Sequence, residues 1–199
     1  MSAPSEHRAG SNTARRTVRR PGPARDPRAI AAMLRVDHAG EYGAVRIYKG
    51  QRAVFGSNRA TSRIARQLRE MEADEQHHLD AFDGDIRAGR ARPTLLAPAW
   101  NAAGFALGAV TALMGERAAH ACTEAVETVI EEHYNEQIAQ LHAMGETELV
   151  ERMTRFRDEE VAHKNLAVDE GAREAPGYAI LSALIQAGCH TAIAVSKRV

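Results

Sequence analysis

Residues 155–165 read RFRDEEVAHKN and contain Glu160 and His163, a carboxylate and an imidazole three positions apart. On a helix, side chains at i and i+3 lie on neighbouring turns of one face, where they can bind the same metal ion. Such a pair also arises by chance on a solvated helix, and 26% of this chain is charged. The stretch therefore predicts a metal site only if the chain supplies matching ligands elsewhere.

Matching ligands are present upstream. A second Glu-x-x-His pair, Glu75 and His78, lies in MEADEQHHLDAF at residues 71–82. A single glutamate precedes each pair, with Glu41 lying 34 positions before Glu75 and Glu127 lying 33 positions before Glu160. These intervals predict two helical hairpins, each of which sets one glutamate opposite one Glu-x-x-His pair.

The punctuation of the chain supports these hairpins. Gly56 and Gly145 lie near the middle of the two intervals, where each is expected to end a helix. Because a helix rises 1.5 Å per residue, the returning helix brings its ligands to the height of the first glutamate. Apolar residues recur at helical spacing through the chain, and no alternating strand pattern is present. The predicted fold is therefore all-α, with a four-helix bundle at its centre.

The two hairpins also resemble each other in sequence. The pairs separated by 86 positions are Ala39 and Ala125, Glu41 and Glu127, Tyr48 and Tyr134, and Gln51 and Gln137; those separated by 85 are Glu75 and Glu160, and His78 and His163. Four carboxylates and two imidazoles suit two iron or manganese ions, because carboxylates can bridge the ions. Di-iron carboxylate bundles use this ligand set. The alternative is a plain bundle in which these residues form solvated faces.

Other polar residues close to the ligands are open to two interpretations. Asp37, one turn before the first glutamate, is expected either to hold the second N–H of a ligand histidine or to be a surface carboxylate. His77 points about 100° away from its neighbour and is expected to be exposed. Tyr134 is a core tyrosine or a relay for electrons or a contact to substrate, and Trp100 is expected to anchor an apolar segment.

Composition and charge divide the chain into two parts. Residues 1–28 contain seven arginines against Glu6 and Asp26, while the remainder has 19 basic and 24 acidic residues. Residues 1–28 are predicted to be a disordered basic tail, and 29–199 a single domain. The tail could be a mitochondrial presequence, a segment attracted to anionic lipid or nucleic acid, or an extension with no specific task. Cys122 and Cys189 are expected to be reduced core residues.

Six stretches closely resemble one known family, the demethoxyubiquinone hydroxylases of ubiquinone biosynthesis, which are membrane-bound relatives of ferritin-like di-iron proteins. The stretches are RVDHAGEYGAVRIYKGQ (35–51), ADEQHHLDAF (73–82), RPTLLAPAWNAAGFALGAVTALMG (92–115), ACTEAVETVIEEHYNEQ (121–137), FRDEEVAHKN (156–165) and IQAGCHTAI (185–193). They follow in order from about residue 29 to the C-terminus, and the arginine-rich tail lies outside the resemblance.

The resemblance implies a ferritin-like fold and an O2-dependent monooxygenase that adds one oxygen atom to the ring of a demethoxyubiquinol, with electrons from an external reductant. The implied iron ligands, for two iron ions per chain, are Glu41, Glu75, His78, Glu127, Glu160 and His163. His133 and Tyr134 are implied to lie near the quinone and the point of electron entry. Other ubiquinone-biosynthesis proteins and a second copy of the chain are possible partners, and no nucleic acid is expected.

Residues 93–115 form an uncharged segment long enough to span a bilayer. Spanning once would set the two hairpins on opposite sides of the membrane, so the segment is expected to lie in the interface or against the bundle. With the apolar C-terminal segment it would form a floor through which a polyprenyl quinone enters. Packing helices of a larger core or a dimer interface are the alternative. The expected location is the cytoplasmic face of a bacterial membrane, or the matrix face of a mitochondrial inner membrane.

Two other functions would each use only part of the sequence features. A ferritin- or rubrerythrin-like protein would oxidise iron or peroxide with the same ligands and without an organic substrate, which leaves the long apolar segments without a task. A nucleic-acid-binding helical protein would act through its arginine-rich tail, which leaves the six-ligand pattern unexplained.

Overall fold

The computed structural model describes residues 25–56 and 62–199, and the regular structure in these residues is helical throughout. The helices are α1 (Pro27–Phe55), α2 (Ser62–Arg87), α3 (Ala97–Leu113), α4 (Glu116–Met144), α5 (Thr147–Asp169) and α6 (Tyr178–Ser196), with a short 3-10 turn at Ala172–Glu174 before α6. The prediction of an all-α fold is confirmed, and the arrangement is consistent with a ferritin-like helical bundle.

Helix α1 begins two residues before the predicted start of the domain. The side chain of Asp26 accepts hydrogen bonds from the backbone N–H groups of Arg28 and Ala29, and Pro27 occupies the first turn, where its missing N–H costs nothing. Residues 1–24 of the predicted tail lie outside the described residues. Gly145 ends α4 in the left-handed conformation, as its position between the two helices of a hairpin predicts.

Helices α1, α2, α4 and α5 form the central bundle, with α1 packed against α2 and α4 packed against α5. Two apolar clusters fill its two ends. One end contains Leu34, Phe82, Leu141, Met153 and Phe156, and the other contains Tyr48, Phe55, Ile64, Leu68 and Met71. Each of these buried side chains contributes roughly 1.5–3 kcal/mol to folding by leaving water. The middle of the bundle, between the clusters, is left for polar residues.

Helix α3 packs against α1 at unusually close range, and glycines make this approach possible. A Cβ atom on Gly108 would lie 2.0 Å from the carbonyl oxygen of Ile47, and one on Gly50 would lie 2.2 Å from that of Phe105. Any larger residue would push the helices apart. The uncharged segment therefore lies against the bundle, as predicted. Only Ala97–Leu113 of the segment is helical, and Pro98 belongs to the first turn of this helix.

Helix α6 packs against α4 and also touches α1, so that α3 and α6 cover one side of the bundle. Trp100 joins the two covering helices by donating a hydrogen bond from its indole N–H to Ser196 Oγ at 3.2 Å, which fits its predicted anchoring role. By length and composition, α6 is the one helix within 25–56 and 62–199 that could cross a membrane, and 17% of its most apolar window is buried. Both cysteines are free; Cys122 is buried and Cys189 is partly buried.

Candidate metal centre

The six predicted ligands converge in the middle of the bundle, between the two apolar clusters. Helix α1 contributes Glu41, α2 contributes Glu75 and His78, α4 contributes Glu127, and α5 contributes Glu160 and His163. Their exposed fractions lie between 0% and 6%. Carboxylates are almost never buried to this extent without a partner, so the centre requires an explanation other than packing.

The ligand atoms form two groups that share two residues. One group contains Glu41, Glu75, His78 and Glu160, the other contains Glu75, Glu127, Glu160 and His163, and the atoms of each group lie within 4.8 Å of one another. Glu75 and Glu160 belong to both groups. Each group could hold a metal ion, and the two shared carboxylates have two oxygens each with which to bridge a pair of ions.

The hydrogen bonds of the centre leave free the atoms that a pair of ions would need. Both carboxylate oxygens of Glu75 and of Glu160 are buried without a hydrogen bond of good geometry, although His78 Nδ1 lies 3.0 Å from Glu160 Oε1 and His163 Nδ1 lies 3.2 Å from Glu75 Oε1. The same holds for one oxygen of Glu41, one oxygen of Glu127, and Nδ1 of each histidine. Unsatisfied buried polar atoms are rare in proteins. Since these atoms belong to two overlapping groups of ligands, the residues present fit a metal centre.

The pKa values of the ligand residues also indicate a site for cations. Burial, together with Glu160 and Glu127, raises the pKa of Glu75 well above its ordinary value. Burial also raises the pKa of Glu160, but contacts from His163 and His78 outweigh it and lower that pKa to about 2. Burial would lower the pKa of His78, but Glu160 and Glu41 raise it to about 12. Protons thus take the place of metal cations in the free ligand set, and they must leave when metal binds.

Two tyrosines cross the bundle to hold the outer glutamates. Tyr134 of α4 donates a hydrogen bond to Glu41 Oε1 at 2.5 Å, and Tyr48 of α1 donates one to Glu127 Oε1 at 2.7 Å. Each bond leaves the other carboxylate oxygen directed at the centre. The role of Tyr48 was not predicted, although the separation of 86 positions that relates the two tyrosines also relates the two glutamates they hold.

Neither interpretation of Asp37 matches the structure, because Asp37 is buried and its contacts are His133 and Gln137 rather than a ligand histidine. His78 Nε2 lies 2.5 Å from Glu159 Oε2, and His163 Nε2 lies 3.2 Å from Asp74 Oδ2. Each histidine therefore faces the acidic residue that directly precedes the shared glutamate of the opposite helix. Such outer carboxylates fix the orientation of a metal-binding imidazole. Helix phase alone placed Asp37 near the centre but did not identify the residue across from each histidine.

We expect Glu159→Gln to weaken metal binding by about 10- to 100-fold, because the outer partner of a ligand histidine contributes that much to affinity. Asp158→Asn is the matched control, since Asp158 is adjacent, 63% exposed in its side chain, and paired only with Arg157 in a surface contact. Titration of both purified variants with ferrous iron would measure the effect. Equal affinities in the two variants would contradict the assigned role of Glu159.

Asp37 instead belongs to a buried cluster with His133 and Gln137. Gln137 Nε2 donates a hydrogen bond to Asp37 Oδ1 at 2.6 Å, and His133 Nε2 lies 3.4 Å from the same oxygen. His133, which the resemblance placed near substrate, also lines a surface pocket between α4 and the end of α6. His77 is exposed, as predicted, and is absent from both ligand groups.

An apolar groove lies beside the centre, between the bundle and its two covering helices. Its volume is about 540 Å3. Residues of α1, α3, α4 and α6 line it, including Gly40, Gly43, Leu107, Val126, Ile130 and Ile185. Gly40 and Val126 directly precede the outer glutamates Glu41 and Glu127, so the groove lies about 100° around α1 and α4 from the ligands. A bulky apolar ligand in this groove would be one helix layer from the centre.

Comparison with known proteins agrees with this architecture. The family model described as "Ubiquinone biosynthesis protein COQ7" matches residues 28–196. The chain is 48% identical to the 3-demethoxyubiquinol 3-hydroxylase of Rhodospirillum rubrum over 97% of this chain and 88% of that protein. It is 46% identical to the NADPH-dependent 3-demethoxyubiquinone 3-hydroxylase of Homo sapiens over 85% of this chain and 78% of that protein. The chain therefore belongs to the COQ7 family of ubiquinone biosynthesis proteins.

Proposed function

We propose that this chain is a 3-demethoxyubiquinol 3-hydroxylase, a di-iron monooxygenase that hydroxylates the ring of a demethoxyubiquinol in ubiquinone biosynthesis. The observation that carries the proposal is the pair of buried ligand groups sharing Glu75 and Glu160, set beside an apolar groove. The names of the bacterial and human relatives describe the same reaction.

Two iron ions per chain would occupy the two ligand groups. Glu41 and His78 would help to hold one ion, Glu127 and His163 would help to hold the other, and Glu75 and Glu160 belong to both ligand groups. When bound, the iron pair supplies the chemistry that activates O2 with two electrons from a reductant. The chain itself orients the outer glutamates through Tyr48 and Tyr134 and excludes water by means of the apolar clusters at both ends of the bundle.

The groove is suited to a polyprenyl quinol. Apolar side chains and glycines line it almost throughout, which matches the chemistry of an isoprenoid tail. Gly40 and Gly43 of α1 and Gly188 of α6 have open space where a Cβ atom would lie, so their lack of a side chain helps form the groove. A ring positioned between α1 and α4 would lie next to Glu41 and Glu127, with its tail along α6.

A membrane surface would deliver such a substrate. Large apolar side chains remain exposed on the covering helices and the turn after α3, namely Val110, Leu113, Met114, Ile180 and Leu184. Leu107 and Leu181 pack into one cluster while Trp100 bonds Ser196, so α3 and α6 run antiparallel and these exposed residues lie towards one end. An exposed apolar patch of this kind is typical of a membrane contact. The patch supports peripheral attachment with the groove open to lipid.

Attachment through this patch predicts that the wild type floats with liposomes and that the double variant Leu113→Asp with Leu184→Asp stays with soluble markers. Both residues are well exposed, at 75% and 68%, so the charges leave the core intact. Ala139→Asp with Asn165→Asp adds the same charge at exposed positions of α4 and α5 and should float as the wild type does. Equal flotation of both double variants would contradict the patch as the membrane contact.

Electrons for the reaction would come from outside the chain. The human relative is named as NADPH-dependent, which supports a nicotinamide as the reductant.

We place the protein at the cytoplasmic face of a bacterial membrane, since the similarity to the Rhodospirillum rubrum protein extends over 97% of the chain. The matrix face of the mitochondrial inner membrane is the alternative, because the human relative is named as mitochondrial. Other ubiquinone-biosynthesis proteins or a second copy of the chain are possible partners at the exposed apolar patch.

Product mass tests the proposed activity. Iron-loaded protein would be incubated with NADPH or a chemical reductant, heavy-oxygen-labelled O2 and a short-chain demethoxyubiquinol, beside Glu160→Ala. One labelled oxygen atom on the ring, formed only by the intact ligand set, is the expected result. Consumption of O2 with unchanged quinol would contradict the substrate and favour the second candidate, a ferritin- or rubrerythrin-like oxidase of iron or peroxide.

A further inference from the structure

The proposed reaction needs a supply of protons, which the six metal ligands themselves do not provide. Adding one oxygen atom of O2 to a ring C–H bond and releasing the other as water consumes two electrons and two protons. A nicotinamide hydride supplies both electrons and one proton, so one proton must come from solvent. The six ligands are at most 6% exposed, so protons reach them through neighbouring side chains rather than directly from solvent. A path for protons is therefore needed through the bundle.

The cluster of Asp37, His133 and Gln137 connects the interior with the surface. The side chain of His133 is 12% exposed, and it lines a pocket of about 300 Å3 together with Glu136, His190 and Lys197. Its Nε2 lies 2.8 Å from Gln137 Nε2 and 3.4 Å from Asp37 Oδ1, and the Asp37 side chain is 1% exposed. The second oxygen of Asp37 is buried without a hydrogen-bond partner. A titratable pair thus leads from the pocket to a carboxylate oxygen that remains free to bond.

The interior end of this pair lies close to the metal ligands. Asp37 is one helical turn before Glu41 on α1, and Tyr134, next to His133 on α4, donates its hydroxyl proton to Glu41. Burial raises the pKa of Asp37 itself, although His133 and Gln137 oppose this, so the carboxyl takes up protons more readily than in water.

The cluster is present in only one of the two related hairpins. The separation of 86 positions pairs Asp37 with Thr123 and His133 with Ile47, and neither counterpart can exchange protons near neutral pH. By contrast, the glutamates and tyrosines of the centre are kept in both halves. The glutamates and tyrosines that occur in both hairpins are explained by the metal site that they form. A titratable pair found in one half alone requires a task of its own.

We propose that His133 and Asp37 form the proton path of this enzyme, in which His133 takes protons from the pocket between α4 and α6 and Asp37 passes them to the metal centre. The inference rests on the proposed hydroxylase activity. Gln137 is a positioning residue, because its amide holds the Asp37 oxygen that faces His133. Arg152 of α5 is a further charged group that acts on Asp37, and Glu41 lies one turn farther along the same helix.

Infrared spectroscopy of the iron-loaded chain tests the path without turnover. The difference between wild type and Asp37→Asn isolates the C=O band of the protonated Asp37 carboxyl, whose shift on transfer to D2O reports how fast its proton exchanges. We expect exchange within the mixing time in the wild type and at least about tenfold slower exchange in His133→Leu. An unchanged rate in His133→Leu, or no acid band at mildly acidic pH, would overturn the proposal.

Turnover provides the second test. Asp37→Asn retains the bond from Gln137 and is expected to bind iron normally, to leave KM for the quinol unchanged and to lower kcat by about 100-fold. Thr123→Val, at the related position of the other hairpin, should keep the wild-type rate, and Asp37→Glu should recover part of it. Imidazole, which fits the pocket, should partly rescue His133→Ala. Wild-type kcat and pH profile in Asp37→Asn would overturn the proposal.

A failure of the relay can be told apart from a failure of the proposed activity. If the wild type leaves the quinol unchanged, the hydroxylase proposal falls. Reduction of O2 to water with a chemical reductant still consumes protons at the centre, so its rate in Asp37→Asn relative to the wild type still tests the path. Equal rates of O2 reduction in the two proteins would overturn the proposed proton path, and a slower rate in Asp37→Asn would support it.

Discussion

Replacing Glu75 by glutamine is expected to weaken iron binding while making the metal-free protein harder to unfold. Glutamine keeps the size of the side chain but removes the negative charge that Glu75 offers to both ligand groups. Hydroxylation should fall at least about 100-fold, since even the outer partners of metal ligands contribute 10- to 100-fold. Iron content and product formation in the purified variant would measure this loss.

The stability effect has the opposite sign because Glu75 is a burden to the metal-free chain. Burial and the neighbouring carboxylates raise the pKa of Glu75 well above its ordinary value, so above the unfolded pKa the folded state must either protonate it or bury a poorly compensated charge. Glutamine removes that cost, which we expect to be roughly 1–3 kcal/mol. The advantage should be present at neutral pH and shrink as pH falls towards the unfolded pKa.

Glu160→Gln provides the matched control with the reverse stability effect. Contacts from His163 and His78 outweigh burial and lower the pKa of Glu160 to about 2, so its carboxylate stabilises the metal-free fold above the unfolded pKa. That stability is lost as pH falls through the folded pKa. Both variants should therefore lose iron, while denaturant unfolding of the chelator-treated proteins should show Glu75→Gln above the wild type and Glu160→Gln below it. The same sign in both variants would contradict this electrostatic account.

The convergence of the six candidate ligands could be predicted from sequence because it depends on spacing alone. A separation of three residues on a helix and of 33 or 34 residues across a hairpin brings Glu75 and His78, or Glu160 and His163, to one height whatever the packing details. The outer carboxylates were missed although a signal was present. Asp74 and Glu159 are separated by the same 85 positions that relate the shared glutamates they precede.

The groove and the close packing of α3 could not be predicted in the same way. Periodicity shows which face of a helix is apolar, but not which apolar face remains uncovered after the helices pack. Gly104 and Gly108 are four positions apart, and this spacing permits close packing without naming the partner helix. That α3 lies against Gly50 of α1 depends on tertiary contacts between residues far apart in the chain.

Gly43→Leu is expected to block hydroxylation while leaving the metal centre intact. Gly43 lines the groove, and a Cβ atom at this position would have no neighbour within 4 Å, so the leucine side chain enters the groove without displacing α1. A filled groove excludes the isoprenoid tail and the ring it carries. We expect quinol turnover to fall about 100-fold, with iron content and reductant-driven O2 consumption close to wild-type values.

Gly84→Leu controls for the substitution itself. Gly84 is also helical with open space at its Cβ position, but it lies on α2, away from the groove, so this variant should turn over quinol at the wild-type rate. Both changes replace glycine in a helix and should slightly stabilise the fold. If Gly43→Leu turned over quinol as fast as Gly84→Leu, the ring would have to reach Glu41 and Glu127 by another route. If it lost iron, α1 would have moved, and the groove would have to be tested with Gly188→Leu on α6 instead.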